Sequence, residues 1–330
     1  MKLPAGVVGA ISMVLALAGG PTLVAQEPAG RADLVRSETT FRVGVERFTL
    51  SVVVRDRDGQ LVRNLTRDDF EVLDTGVTRP VVEFRAEPAP ISLALLVDIS
   101  GSMALSGNLT RARDAAMQLA GQLQTPGDEV ALFTFDTRLR ELGWFARPMT
   151  DRLDDAFAGL RPFGTTSLRD AISGAAERVT DLAPGRHRAV VVLTDGVDTS
   201  SQMTAAEVSA AASAIHVPVY ILMTVSGLDD PAGGLGAAGE FRGPDGELAA
   251  LARWTGGALV AASRPAQFNR AAREIVSELR QQYWLAVEPS DEPGWHPLEV
   301  RTRDRKLSVR ARSGYVMGSS SSSGSSAASR

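Results

Sequence analysis

Residues 95–103, LLVDISGSM, run an apolar stretch into an aspartate and then place two serines at alternate positions. Asp98, Ser100 and Ser102 would each pass as a turn residue alone. Together, with Gly101 between the hydroxyls, they gather oxygens at one point. A second apolar run, AVVVLTDG, stops in Thr194, Asp195 and Gly196, and GTTSLRDAI carries Thr165 and Thr166 into the start of a helix. Two carboxylates and three or four hydroxyls suit a hard divalent cation, since Mg²⁺ asks for about six oxygens in near-octahedral array and keeps some water. Hydroxyl ligands are neutral, so two carboxylates roughly cancel the charge of the ion and leave it electrophilic. An open position on such an ion accepts a carboxylate from outside, which is a grip on an acidic residue of a partner.

For these oxygens to meet, the runs that carry them must lie side by side. In open parallel sheets, ligands bind beyond the carboxyl ends of the strands. Leu93 to Val97, Val130 to Phe135, Ala189 to Leu193, Val217 to Met223 and Ala258 to Ala261 are short apolar runs of the kind found in strands buried on both faces. Between them, Leu109, Ala112, Ala116, Leu119 and Leu123 fall at helical spacing. So do Leu168, Ile172, Ala175, Val179 and Leu182, and later Phe268, Ala272, Ile275 and Leu279. The alternation predicts an α/β domain over 91–281 with a doubly wound, mainly parallel sheet. Residues 41–88 alternate and turn like a small β unit, with Asp58-Gly59 and Thr75-Gly76 as turns, and the prolines of EPAP mark a boundary. Residues 282–316 return to strand-like alternation, and the two segments are expected to complete one β domain around the α/β insert.

Asp98-x-Ser100-x-Ser102, then Thr166, then Asp195 in LTDG resemble the metal-ion-dependent adhesion site of von Willebrand factor A domains. The flanking LTRDDFEVLDTG and VRARSGY are similar to segments of a bacterial exported family related to those domains. The resemblance implies a Rossmann-like α/β fold flanked by a small β-sandwich-like domain. It implies Mg²⁺, or Mn²⁺ or Ca²⁺ in its place, and a protein partner that offers an acidic side chain. It further implies that Ser100, Ser102 and Thr166 hold the metal directly or nearly so, with Asp98 and Asp195 holding it directly or through water. One departure shows: the usual Gly-Gly-Thr reads Gly164-Thr165-Thr166, which leaves open which threonine faces the ion.

Enzymes fit less well. Phosphohydrolases of the haloacid dehalogenase type also end a strand in a nucleophilic Asp, but they carry a second acid where Ser100 stands. They also use a lysine, and Lys2 and Lys306 are the only two in the chain. The same lack excludes a P-loop, and no Gly-x-Ser-x-Gly elbow is present. His187, His216 and His296 lack the spacing of a zinc site, and they read as boundary or β-region residues. Asp136 and Asp198 read as solvated strand-end acids and Asp170 as a first-turn helix charge. Tyr283, Trp284 and Trp295 read as β core. The expectation is a non-enzymatic binding module, with a metal-stabilised structural module that takes no outside ligand as the alternative.

Bulk properties agree. With 330 residues, 44% hydrophobic, the chain can bury a substantial core, and a formal net charge of −4 gives no basic surface for nucleic acid. There is no cysteine, hence no disulfide framework and no thiolate metal ligand. Residues 1–25 read as an export signal, with Lys2 ahead of an apolar stretch from Val7 to Ala18. The rival reading is an uncleaved anchor, and either one places the remainder outside the cytoplasm, with no other membrane contact expected. A linker at 26–40, a Gly/Asp/Pro-rich loop at 226–246 and a flexible Ser-rich tail at 317–330 complete the organisation. Oligomeric state is not legible in the sequence.

Overall fold

The computed structural model describes residues 47–146, 149–180, 185–208, 217–225 and 246–317. The signal peptide, the linker, residues 41–46, Leu182, His216, the loop at 226–245 and the tail from 318 lie outside the described residues.

Four strands come first: β1 (Phe48–Arg55), β2 (Phe70–Asp74), β3 (Val77–Arg79) and β4 (Val81–Arg85). The α/β segment follows with β5 (Ile91–Asp98), α1 (Asn108–Gln122), β6 (Glu129–Phe135), β7 (Leu139–Ala146), α2 (Thr150–Ala158) and α3 (Leu168–Thr180). It continues with β8 (His187–Thr194), β9 (Val219–Thr224), α4 (Gly246–Trp254), β10 (Leu259–Ala262) and α5 (Pro265–Gln281). Then come β11 (Tyr283–Val287), β12 (Gly294–Thr302), β13 (Ser308–Arg310) and β14 (Gly314–Met317).

The five apolar runs are β5, β6, β8, β9 and β10, and they build the expected doubly wound sheet in the order β10-β9-β8-β5-β6-β7. All neighbours pair in parallel except β7, which returns antiparallel on β6. The strand alternation decides the layers. Ile91, Leu93, Leu95 and Val97 of β5 pack with α1, α2 and α5 on one face, while Ala94 and Leu96 pack with α3 and α4 on the other. Helix α1 lies close because its buried face is largely alanine: Ala112, Ala115, Ala116 and Ala120. From β5 the chain moves one way to β6 and later returns to β8 on the other side, so the topological switch point falls between β5 and β8, where ligands sit in such sheets.

The remaining strands form two antiparallel sheets, β13-β1-β11-β4 and β14-β12-β2-β3, that share one core of Phe48, Leu50, Val52, Phe70, Val72, Tyr283, Leu285, Val300 and Tyr315. Strands from before and after the α/β segment therefore lie in the same sheets. Tyr283 belongs to this core, but Trp284 is only partly buried and Trp295 is half-exposed, because β12 presents that position to solvent. His187, contrary to the expectation of a boundary position, is buried edge-on to Trp284, because β11 packs over the start of β8. His296 is also buried, stacked on Tyr315 and bonded through Nδ1 to Asp74 Oδ1 at 3.1 Å. The sandwich joins the α/β layers through fully buried Glu278 of α5, which accepts hydrogen bonds from Arg55 of β1, Arg310 of β13 and Tyr220 of β9. No helix among the described residues is long and apolar enough to cross a membrane.

Candidate metal centre

Asp98 closes β5 at the switch point and is fully buried. Its Oδ1 accepts the Ser100 backbone N–H at 2.8 Å and its Oδ2 accepts the Thr194 hydroxyl at 2.6 Å. The second bond follows from register: β5 and β8 run parallel with Val97 opposite Leu193, so the next residues, Asp98 and Thr194, meet. Burial pushes the Asp98 carboxyl up to about 6 from 3.8, against the pull of those hydrogen bonds, and the charge of Asp195 adds to the push. A bound cation would relieve that push.

Beyond Asp98 the chain turns through Ser100 into a short 3₁₀ segment, Gly101–Gly107. This turn places the Ser100 and Ser102 hydroxyl oxygens 3.1 Å apart, with Ser100 buried and Ser102 partly buried. The threonine loop docks on the same turn. Gly101 donates its N–H to Gly164 O at 3.0 Å and Phe163 donates to Ile99 O at 2.8 Å. Glycine suits both positions. A Cβ on Gly101 would stand 3.3 Å from Gly164 O, and Gly164 holds φ +86°.

Thr165 is absent from the positive-φ positions, so the backbone accepts the side chain that replaces the usual glycine. Its hydroxyl lies exposed at 3.1 Å from Ser200 Oγ, while Thr166 is buried. The loop after β8 clamps the threonine segment: Thr199 and Ser200 both donate their N–H groups to Thr166 O at 3.0 Å, and Thr199 Oγ1 accepts from Thr166 N–H. Arg169 adds an ion pair to Asp198 at 2.9 Å. Asp195, next to Thr194, is partly buried, and its Oδ1 is buried with no hydrogen-bond partner.

Thus Asp98, Ser100 and Ser102 come together directly, Thr166 arrives through the Gly101–Gly164 contact, and Asp195 arrives through its strand-end position. Among the described residues no group of three or more His, Cys, Asp or Glu side chains forms a metal cluster. The oxygens here are mostly hydroxyl, and a hydroxyl-rich set with two carboxylates fits Mg²⁺ or Mn²⁺. The Asp195 Oδ1 atom is buried without a partner, while each Asp98 oxygen accepts one hydrogen bond and keeps a second lone pair. Asp136 is engaged by Arg140 and by the Arg138 N–H, Asp198 by Arg169, and Asp170 accepts from the N–H groups of Gln202 and Met203. These three acids hold loops. Sequence reasoning missed the roles of Thr194, Thr199 and Arg169, whose contacts arise from strand register and loop packing.

A family model described as the von Willebrand factor type A domain matches residues 93–198. Among solved structures, this chain is similar to a von Willebrand factor type A protein from Catenulispora acidiphila, with 14% identity, TM-score 0.47, and coverage of 85% of this chain and 76% of that one. It is similar to BatB, a conserved hypothetical protein from Bacteroides thetaiotaomicron, with 22% identity, TM-score 0.41, and coverage of 57% and 97%. It is also similar to a multiply mutated aerotolerance-related membrane protein from Bacteroides fragilis, with 19% identity, TM-score 0.42, and coverage of 57% and 98%. Comparison with curated proteins gave no match.

Proposed function

The chain carries a von Willebrand factor type A domain, and from that premise we propose that it is a non-catalytic module that grips an acidic side chain of a protein partner through a divalent cation. Such a domain points to protein interaction or adhesion. Ser100, Ser102 and Thr166 would hold the ion through hydroxyl oxygens, Asp195 through its unpartnered carboxylate oxygen, and Asp98 would balance its charge from behind. The ion, probed as Mg²⁺ or Mn²⁺, supplies an electrophile for a partner carboxylate. An export signal in residues 1–25 would put this binding outside the cytoplasm.

The observation that carries the reading is the buried, unpartnered Asp195 Oδ1 on a carboxylate whose charge acts on Asp98. A buried carboxylate oxygen with no donor is costly, and a hard cation satisfies it. The scaffold's own residues do the rest. Backbone bonds between Gly101 and Gly164, and between Thr199 and Thr166, fix three loops in one arrangement, so the oxygens are preorganised.

Proton relaxation of water on the Mn²⁺-loaded protein tests the outside ligand. A blocked Gly-Glu-Gly peptide should displace metal-bound water and lower the enhancement, while the Gly-Gln-Gly control should not. An enhancement that neither peptide changes would favour the alternative, an ion that only locks the loops together.

A further inference from the structure

Eight large apolar side chains lie exposed among the described residues, and three of them, Leu105 at 64%, Phe163 at 81% and Val197 at 50%, fall on the three loops of the candidate metal centre. Leu105 follows Ser102 by three residues, Phe163 precedes Thr166 by three, and Val197 follows Asp195 by two. The same backbone bonds that join the loops bring these positions to one rim: Phe163 N–H to Ile99 O, Gly101 N–H to Gly164 O, and Thr199 N–H to Thr166 O. A fold that buries nearly every other large apolar residue of its α/β layers leaves these uncovered.

The exposure of Leu105 is held by unusual backbone. The next residue, Ser106, has φ +49°, and Gly107 has φ +72°, so two successive left-handed residues end the 3₁₀ segment just before α1. A residue with a Cβ seldom adopts that conformation, and strain of this kind gathers at ligand sites. Charge complementarity selects the occupant: a cation held by two carboxylates keeps capacity for one more negative ligand. Apolar groups around that bond would exclude water and strengthen it, as rim contacts do around a central hot spot.

We propose that Leu105, Phe163 and Val197 form an apolar collar around the metal centre, so that the partner segment recognised is an acidic residue flanked by large apolar side chains. This rests on the metal-dependent reading above. Covering the three side chains together, discounted for the cost of association, corresponds to about a 10- to 100-fold gain in affinity.

The test pans a random nonapeptide phage library against the full chain loaded with Mn²⁺ and elutes with EDTA. The expected consensus holds one Asp or Glu with Leu, Ile, Val or Phe within two positions. A synthetic peptide of that consensus should bind a Leu105→Ser, Phe163→Ser, Val197→Ser triple variant about 10- to 100-fold more weakly, while calorimetric Mn²⁺ affinity and melting temperature stay unchanged. An EDTA-eluted acidic consensus with polar flanks, or equal peptide affinity for wild type and the triple variant, overturns the collar and leaves the metal reading standing. Peptides that survive EDTA, or no enrichment at all, remove the metal reading and the collar with it.

Discussion

Glu278 offers the sharpest test of how the two layers of the molecule are held together. Its carboxylate is fully buried on α5 and accepts Arg55 Nη2 at 2.7 Å, Arg55 Nε at 3.2 Å and the Tyr220 hydroxyl at 3.0 Å, together with Arg310 Nη2. Glu278→Ala strands two guanidiniums beside each other and leaves the buried Tyr220 hydroxyl without its acceptor. Removing one partner of a buried ion pair costs about 3–5 kcal/mol. Both arginines keep some exposure, 16% and 22% of their side chains, which places the charge effect near the lower end. The stranded hydroxyl adds about 1 kcal/mol. A loss of about 4 kcal/mol follows, or a fall in Tm of roughly 8–16 °C for a unit of this size. Urea unfolding followed by circular dichroism measures it. Replacing all three charges at once, with Arg55→Met, Glu278→Leu and Arg310→Met, should recover most of the loss, since no charge is then stranded. A loss under about 1 kcal/mol in Glu278→Ala would refute the reasoning, because the arginines would then be free to find water without disturbing the junction.

Two further perturbations act nearer the strand ends. Burial, with the positive charge of Arg280 adding to it, pushes the His187 imidazole down to about 4 from 6.5. The unfolded chain takes up its proton first, so the full contribution is present above pH 6.5, and about 3 kcal/mol is lost as the pH falls from 6.5 through 4. His187→Gln should flatten that segment of the stability profile in urea titrations; an unchanged slope would contradict it. Gly164→Ala places a Cβ at φ +86° and should cost about 1–2 kcal/mol while weakening Mn²⁺ binding, read by calorimetry, because the Thr166 loop must shift. Wild-type affinity in that variant would mean that the loop geometry does not matter to the ion.

Much of the fold is legible in the sequence for one physical reason: strands buried on both faces read as unbroken apolar runs, and β5, β6, β8, β9 and β10 are such strands. Strand β7 escapes because it lies at the sheet edge, where Arg140 and Glu141 face solvent. The burial of His187 is equally invisible, since it depends on Trp284, nearly a hundred residues away, packing over the start of β8. At the site, the Asp-x-Ser-x-Ser turn could be picked out because oxygens at alternate positions after an apolar run are an unusual spelling. Thr194 could not, because its bond to Asp98 follows from the β5–β8 register, which no local pattern encodes. Trp295 shows the opposite failure: composition put it in the core, and its position on β12 puts it outside.

The central claim is that the strand-end oxygens form one cation site. Calorimetric titration of Mg²⁺ and Mn²⁺ into metal-stripped protein, beside an Asp98→Ala, Ser102→Ala double variant, addresses it directly. One ion per chain bound by the wild type and none by the folded variant is the predicted result. Equal binding by both, or no binding by the wild type, would contradict the account and reduce the DISGS turn to a connection between β5 and α1.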